Sequence, residues 1–247
     1  MANDFLKTLE LGLTQLEMNL SKQQLDRYVG YYKLLLDWNQ KINLTAIKDP
    51  KEIAIKHFLD SQLLTKWLKV GADTALLDLG TGAGFPGLVL KILNPETAIT
   101  LVDAVQKKVN FINLVAKELS LIQVAAIHSR AEDLGKDLGY REGFTDVTAR
   151  AVAPLAVLAE YGLPLLKKGG KLFALKGPNY RDELEKAKDA IDLLGGKLAE
   201  VVDYKLPLIE DQRSLIIIRK DKKTPQGYPR KSGIPSKMPL KRHQNRI

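Results

Sequence analysis

Leu76-Leu77-Asp78-Leu79-Gly80-Thr81-Gly82-Ala83-Gly84-Phe85-Pro86-Gly87 is the stretch that decides how the rest of the chain is read. An apolar run ends in an acid, glycine follows at every second position, and a proline starts what reads as a helix. Glycines at a strand-to-helix turn let a ligand approach the backbone closely, because no Cβ stands in the way.

Working outward, Thr74–Leu79 has the length and composition of a strand, and a helix is expected from about Pro86 to Leu93. Thr97–Val102 reads as a second strand closed by Asp103, followed by a helix over about 105–119. Ile122–Ile127, Phe144–Ala149 and Lys171–Lys176 read as further strands. Between the last two come a helix over Pro154–Leu166 and the turn Lys167-Lys168-Gly169-Gly170. A charged helix over about 181–194 leads to a final strand pair, Lys197–Tyr204 and Ser214–Arg219. Strand and helix alternating this regularly predict an α/β fold, a seven-stranded doubly wound sheet with helices on both faces. Residues 1–70 read as a helical subdomain, with a capping box at Ser21 and Gln24 and an Asp49-Pro50 helix start. Trp38, His57 and Asp60 are expected to pack and cap within it. The core is expected to span 71–220.

The chain has 247 residues, no cysteine and a net charge of +9. Absence of cysteine excludes disulfides, thiolate metal sites and cysteine nucleophiles, and no metal site is expected. No secretory signal follows Met1, and no apolar stretch approaches the roughly 20 residues of a membrane helix, so a cytoplasmic protein without a membrane partner is expected. Of the 38 basic residues, eight lie from Lys222 onward with no acid among them, which leaves 30 against 29 acidic groups in the remainder. A basic segment (221–247) on a neutral body points to a polyanion. Its four prolines and few large apolar residues predict an extended or disordered tail until it is bound. With all eight charges on phosphates of single-stranded RNA, the salt slope would approach roughly −6.

In an open parallel sheet the ligand sits beyond the carboxyl ends of the strands, where chain order reverses. The glycine turn, Asp103, Glu132 and Arg150 all fall at such ends. Gly82-x-Gly84-x-x-Gly87 matches the dinucleotide fingerprint, a weak signal alone. Asp78-x-Gly80-x-Gly82-x-Gly84 matches the acid-plus-glycine pattern of S-adenosylmethionine methyltransferases. Pro86 removes an N–H that a pyrophosphate at a helix start would use, which favours the second pattern. A nicotinamide-dependent oxidoreductase and a non-catalytic RNA-binding factor remain the rivals.

The run Leu77–Leu90 resembles the RsmG family, formerly called GidB. So do Trp38-Asn39 with Ile42-Asn43-Leu44-Thr45-Ala46-Ile47, His57-Phe58-Leu59-Asp60-Ser61, Ser129-Arg130-Ala131-Glu132, Thr148-Ala149-Arg150-Ala151, and Thr224-Pro225 with Tyr228-Pro229-Arg230-Lys231. The resemblance implies a Rossmann-like class I methyltransferase that uses S-adenosylmethionine to methylate a guanine N7 in the 530 loop of 16S rRNA. It implies cofactor contacts at Gly80, Phe85, Ala131, Glu132 and Arg150, with Asp103, Ala104 and Val105 near the adenosine. Asp78, Gly82 and Gly84 complete the expected cofactor set. The partner is then 16S rRNA or a precursor of the small ribosomal subunit, and a monomer is expected. Guanine N7 carries an in-plane lone pair and no proton, so no general base is needed, and catalysis reduces to placement and exclusion of water. Arg150 is expected to hold the base or the cofactor. Arg130, Lys176, Lys222, Lys223, Tyr228, Arg230, Lys231, Lys237, Lys241 and Arg242 are the expected RNA contacts. His128 is expected to be structural.

Overall fold

A computed structural model describes residues 2–240. Helices α1 (Ala2–Gln15) and α2 (Lys22–Asn39) lead into α3 (Pro50–Ile53), a π-helical segment (Ala54–Leu59), α4 (Asp60–Leu63) and a 3₁₀ turn (Leu64–Lys66). The sheet then alternates with helices: β1 (Ala75–Leu79), α5 (Gly87–Leu93), β2 (Ala98–Asp103), α6 (Gln106–Glu118), β3 (Val124–His128), α7 (Ala131–Leu134) and β4 (Phe144–Arg150). After it come α8 (Leu155–Gly162), β5 (Leu166–Lys176), α9 (Tyr180–Leu193), β6 (Gly196–Lys205), β7 (Gln212–Lys220) and α10 (Ile234–Lys237).

The strand order is β3-β2-β1-β4-β5-β7-β6. The first five strands are parallel, and β7 enters antiparallel between β5 and β6. Chain order therefore reverses between β1 and β4, beside the glycine turn.

Alternation along the strands sorts their side chains into two cores, because successive residues face opposite sides of a sheet. Leu76, Phe173, Leu175, Leu215 and Ile217 join the N-terminal helices, α5 and α6 on one face. Leu77, Leu172, Ala174, Ile216 and Ile218 join α8 and α9 on the other. Phe5, Tyr28, Tyr31 and Phe58 belong to the first of these clusters, so the N-terminal helices share their core with the sheet. Both expected helix starts are present, the Ser21/Gln24 capping box and the Asp49 cap ahead of Pro50.

Two elements differ from expectation. The helix after β4 gives way at Gly162 to a 3₁₀ turn that holds Pro164, whose ring cannot continue an α-helical ladder. The turn at 167–170 lies inside β5, where the register against β4 shifts between Phe144 and Asp146.

The larger correction concerns the tail. Residues 221–240 are packed on the body rather than extended. Arg141 donates to the carbonyls of Thr224, Pro225 and Tyr228. Arg230 grips the fully buried Glu160 through Nε, at 2.9 and 3.2 Å from its two oxygens, and Nη2 at 2.7 Å, and its own backbone N–H adds a bond at 2.8 Å. Lys220, buried and held down to a pKa of about 8 by desolvation, donates to the carbonyls of Leu163 and Leu194 and to the Thr224 hydroxyl. Polar bonds to distant residues supply what the apolar content of the tail does not.

Candidate active site

The glycine turn is shaped from below by Asp78. This carboxylate is fully buried; Oδ2 accepts from Thr81 Oγ1 at 2.6 Å and from Gly87 N at 2.9 Å, and Oδ1 accepts from Thr148 Oγ1 at 2.9 Å. Burial raises its pKa to about 6, against the pull of those hydrogen bonds and of the Arg150 charge. Gly87 must be glycine here, since a Cβ would lie 2.8 Å from Asp78 Oδ2 and 2.7 Å from Leu101. Asp78, expected among the cofactor ligands, is therefore corrected to an organiser of the loop, with its oxygens turned inward. Asp103 does a related job one strand over, accepting from Gly82 N and Val105 N at 2.9 Å each, with Lys108 3.8 Å away.

The N-terminal helices form a wall of the site. Tyr31 on α2 donates its hydroxyl to Ala83 O and stacks on Phe85 at 4.8 Å and 14°. A Cβ on Gly84 would come within 2.7 Å of that hydroxyl, which explains the glycine at this position together with its φ of +95°. His57, from the π-helical segment, stacks on Phe85 at 4.8 Å and bonds Thr45 Oγ1 at 2.9 Å. Arg150, at the end of β4, donates from Nη1 to Lys56 O (2.9 Å) and Asp60 Oδ2 (3.2 Å), and from Nη2 to His57 Nδ1 (3.4 Å). Its guanidinium also lies 5.5 Å from the Phe85 ring centre. Among the described residues three of its five N–H donors are thus used, which leaves two for a ligand. Asp60 is buried and takes a second bond from Tyr204 at 2.8 Å. His57 and Asp60, expected to serve only packing and capping, thus hold Arg150 in place.

These elements enclose a cavity of about 730 Å³ at the switch point between β1 and β4. Its walls include Thr45, Lys56, His57 and Asp60 from the N-terminal segment, Gly80, Gly82 and Phe85 from the turn, and Arg150, Lys176 and Arg213 from the sheet. The volume suits a nucleoside-sized ligand. Gly82 has φ +62° and nothing within 4 Å of where a Cβ would be, so the backbone is open on its cavity side. That bare cradle fits a cofactor lying against the turn.

The acids and imidazole on the wall are all engaged. Burial and the Arg150 charge depress the His57 pKa to about 3, so the ring is neutral. Glu183 receives Lys176 Nζ at 2.6 Å and Leu155 N at 3.0 Å. Lys176 also donates to Ala153 O at 2.7 Å, so two of its three donors tie down the segment after β4 and Glu183.

The other expected residues divide. Ala104, Val105 and Arg130 are exposed. Glu132 is buried and accepts from Gly233 N at 2.8 Å; this oxygen faces the tail. His128, expected to be structural, has Nε2 3.0 Å from Ala104 O. Arg230 is committed to Glu160, and Tyr228 is half-buried. Lys222, Lys223, Lys231 and Lys237 are exposed. Lys241 and Arg242 lie outside the described residues. Tyr31 and Glu160 were not singled out from sequence, and Thr45 and Thr148 were quoted within family-like stretches without a role. Glu160 had a signal of its own, as a lone charge in the apolar helix Leu155-Ala156-Val157-Leu158-Ala159-Glu160.

The reversed strand order, the antiparallel β7 and the open glycine cradle define a class I S-adenosylmethionine-dependent methyltransferase. The geranyl diphosphate C-methyltransferase of Streptomyces coelicolor has this fold, with a TM-score of 0.53 at 17% identity over 65% of this chain and 78% of that one. A family model described as rRNA small subunit methyltransferase G (GidB) matches residues 23–216. The ribosomal RNA small subunit methyltransferase G of Desulforamulus reducens is 47% identical over 96% of this chain and 99% of its own length. Its namesake from Lactococcus lactis subsp. cremoris is 46% identical over 93% and 97%. The chain belongs to the rRNA small subunit methyltransferase G family.

Proposed function

We propose that this chain transfers the methyl group of S-adenosylmethionine to N7 of a guanine in the 530 loop of 16S rRNA, on naked RNA or a small-subunit precursor. The observation that carries the choice of atom is the bonding of the cavity wall. His57, Asp60 and Glu183 all have protein partners, and the imidazole is neutral. Such a wall positions and shields; it is poorly suited to removing a proton. An N7 acceptor needs none removed.

The cofactor supplies a methyl group activated on a sulfonium sulfur. The backbone of Gly80–Phe85, with Asp103, Ala104, Val105 and Ala131 beside it, would hold it. The Asp103 oxygens that receive Gly82 and Val105 retain lone pairs for ribose hydroxyls. Glu132 acts there through α7 and its bond to the tail. Arg150 offers two N–H groups to the base or to the cofactor carboxylate. The aromatic pair Phe85 and His57 helps exclude water from the reacting centre. Arg130, Lys222, Lys223, Lys231 and Lys237 are the RNA contacts, and Lys241 and Arg242 extend the set. Among the described residues no helix is long and apolar enough to cross a membrane. The working form is read as a cytoplasmic monomer.

Labelled S-adenosylmethionine incubated with small subunits and with naked rRNA, followed by N7-directed strand cleavage, tests this reading. One labelled guanine in the 530 loop is expected. Label on another atom, or on no RNA, refutes it.

A further inference from the structure

Thr45 sits in the connection between α2 and α3, half-buried and on the cavity wall. Its hydroxyl bonding can be worked out atom by atom. Arg150 Nη2 lies 3.4 Å from His57 Nδ1. A guanidinium has no acceptor and does not lose its proton, so this contact assigns Nδ1 as the acceptor and the proton of the neutral ring to Nε2. Nε2, 2.9 Å from Thr45 Oγ1, therefore donates to it. The Ile47 N–H donates to the same oxygen at 3.1 Å. A hydroxyl has two lone pairs and one proton. Both pairs are occupied, and among the described residues the proton has no protein acceptor. Thr45 thus offers a ligand a donor and no acceptor. The stacking of His57 on Phe85 fixes the ring, and its depressed pKa keeps the pattern from inverting near neutrality.

Guanine presents two acceptors on its N7 side, N7 and O6, whereas adenine presents N7 and an amino donor. A hydroxyl that only donates suits O6 on the first edge and meets the amino group of the second donor to donor. We propose that Thr45 is a specificity-determining residue whose hydroxyl donates to O6 of the target guanine, which leaves N7 free for the methyl. The two unused N–H groups of Arg150 have the same sign and reinforce the choice. This inference rests on the guanine-N7 reading above and names the contact that selects the base.

The test compares kcat/KM for N7 methylation of an rRNA fragment with guanosine or 2,6-diaminopurine riboside at the target. The second base keeps N7 and the 2-amino group but replaces O6 with an amino group. Thr45→Val is expected to slow guanosine on the order of tenfold, the effect of losing one good hydrogen bond, and to leave diaminopurine no slower. The preference for guanosine then falls by the same factor, while Thr45→Ser keeps it. A general distortion of the site would slow both bases together. An unchanged ratio in Thr45→Val, with product still formed by the wild type, overturns the assignment alone. Absence of N7 product with wild-type protein overturns the target reading and this assignment with it. Should Thr45→Val fail to bind S-adenosylmethionine in a calorimetric titration, wild-type protein decides. A 6-thioguanosine target, with a poorer acceptor at position 6, must then react on the order of tenfold more slowly, and an unchanged rate overturns the assignment.

Discussion

Replacing Arg230 with methionine tests whether the tail is part of the fold or a free arm for RNA. The change keeps most of the side-chain length and removes the charge. It leaves Glu160, fully buried, with only the Arg230 N–H as partner among the described residues, in place of four bonds. Removing one member of a buried pair costs about 3–5 kcal/mol, because the other charge stays behind unpaired. The Arg230 side chain is 23% exposed, so water reaches the vacated space and the lower end, about 3 kcal/mol, applies. For a chain of this length each kcal/mol moves the midpoint by about 2–4 °C, which predicts a fall in Tm of roughly 6–12 °C. Differential scanning calorimetry measures it. A companion Glu160→Met/Arg230→Met pair removes both charges and is expected to recover most of the loss, as apolar replacements of buried pairs do.

A free arm predicts the opposite pattern. Arg230→Met would then leave Tm unchanged and reduce the salt slope of RNA binding by about 0.7, one phosphate contact. That pair of results refutes the docked-tail reasoning. Arg141, with bonds to three tail carbonyls, is the independent structural reason to expect the first outcome.

Three further expectations follow from the site and its surroundings. Tyr31→Phe removes the hydroxyl that holds Ala83 O but keeps the stack on Phe85; a loss of about 1 kcal/mol in stability and a several-fold weaker S-adenosylmethionine affinity by calorimetry are expected, and unchanged affinity would separate the helix from the loop. His57 has a folded pKa depressed to about 3, so its contribution to stability is complete above its unfolded pKa near 6.5 and is lost as pH falls toward 3, by up to about 5 kcal/mol. Asp78, raised to about 6, works in the other sense between about pH 6 and 4, so the informative quantity is the difference between wild type and His57→Gln in urea titrations; it should shift steadily with acid below pH 6.5, and a flat difference contradicts a buried neutral imidazole. Replacing Lys222, Lys223, Lys231 and Lys237 together with glutamine should make the salt slope shallower by up to about 2.8 while sparing the Tm, since all four are exposed; an unchanged slope moves the RNA contact elsewhere.

The sheet was legible because its signal is local. Leu215–Ile218 is a continuous apolar run, as a strand buried on both faces should be, and residues two apart enter the same core. The glycine turn was legible as a cradle, and its place at the switch point followed from the order of elements. Asp78 was misplaced because an acid at a strand end looks the same whether it faces a ligand or its own loop; what decides is Thr148, seventy residues away. The π-helical segment Ala54–Leu59 contains neither glycine nor proline to announce it, so the turn that delivers His57 was invisible. The tail misled for a related reason. Composition measures how much apolar surface a segment can bury, and this segment is held instead by charge-assisted bonds to Glu160 and Glu132.

The two ends of the described chain converge on the same problem, which is ordering loops at the open edge of a sheet. Backbone fixed outside helix or strand costs about 1–2 kcal/mol per residue in entropy, and the loops after β1, β3 and β4 must be fixed before they can position anything. The loop after β1 is held from the N-terminal side by Tyr31 and His57. Arg150, where β4 ends, is held by Lys56 O, His57 and Asp60. The turn after β3 is held from the C-terminal side, where Gly233 N bonds Glu132 and Ser232 bonds Asp133 at 2.6 Å. A reaction that needs no proton transfer depends on placement alone. In that case residues that never touch the substrate, Tyr31 and Glu160 among them, govern rate through geometry. Variants of these positions should therefore lower kcat on small-subunit RNA by more than their loss of stability alone explains.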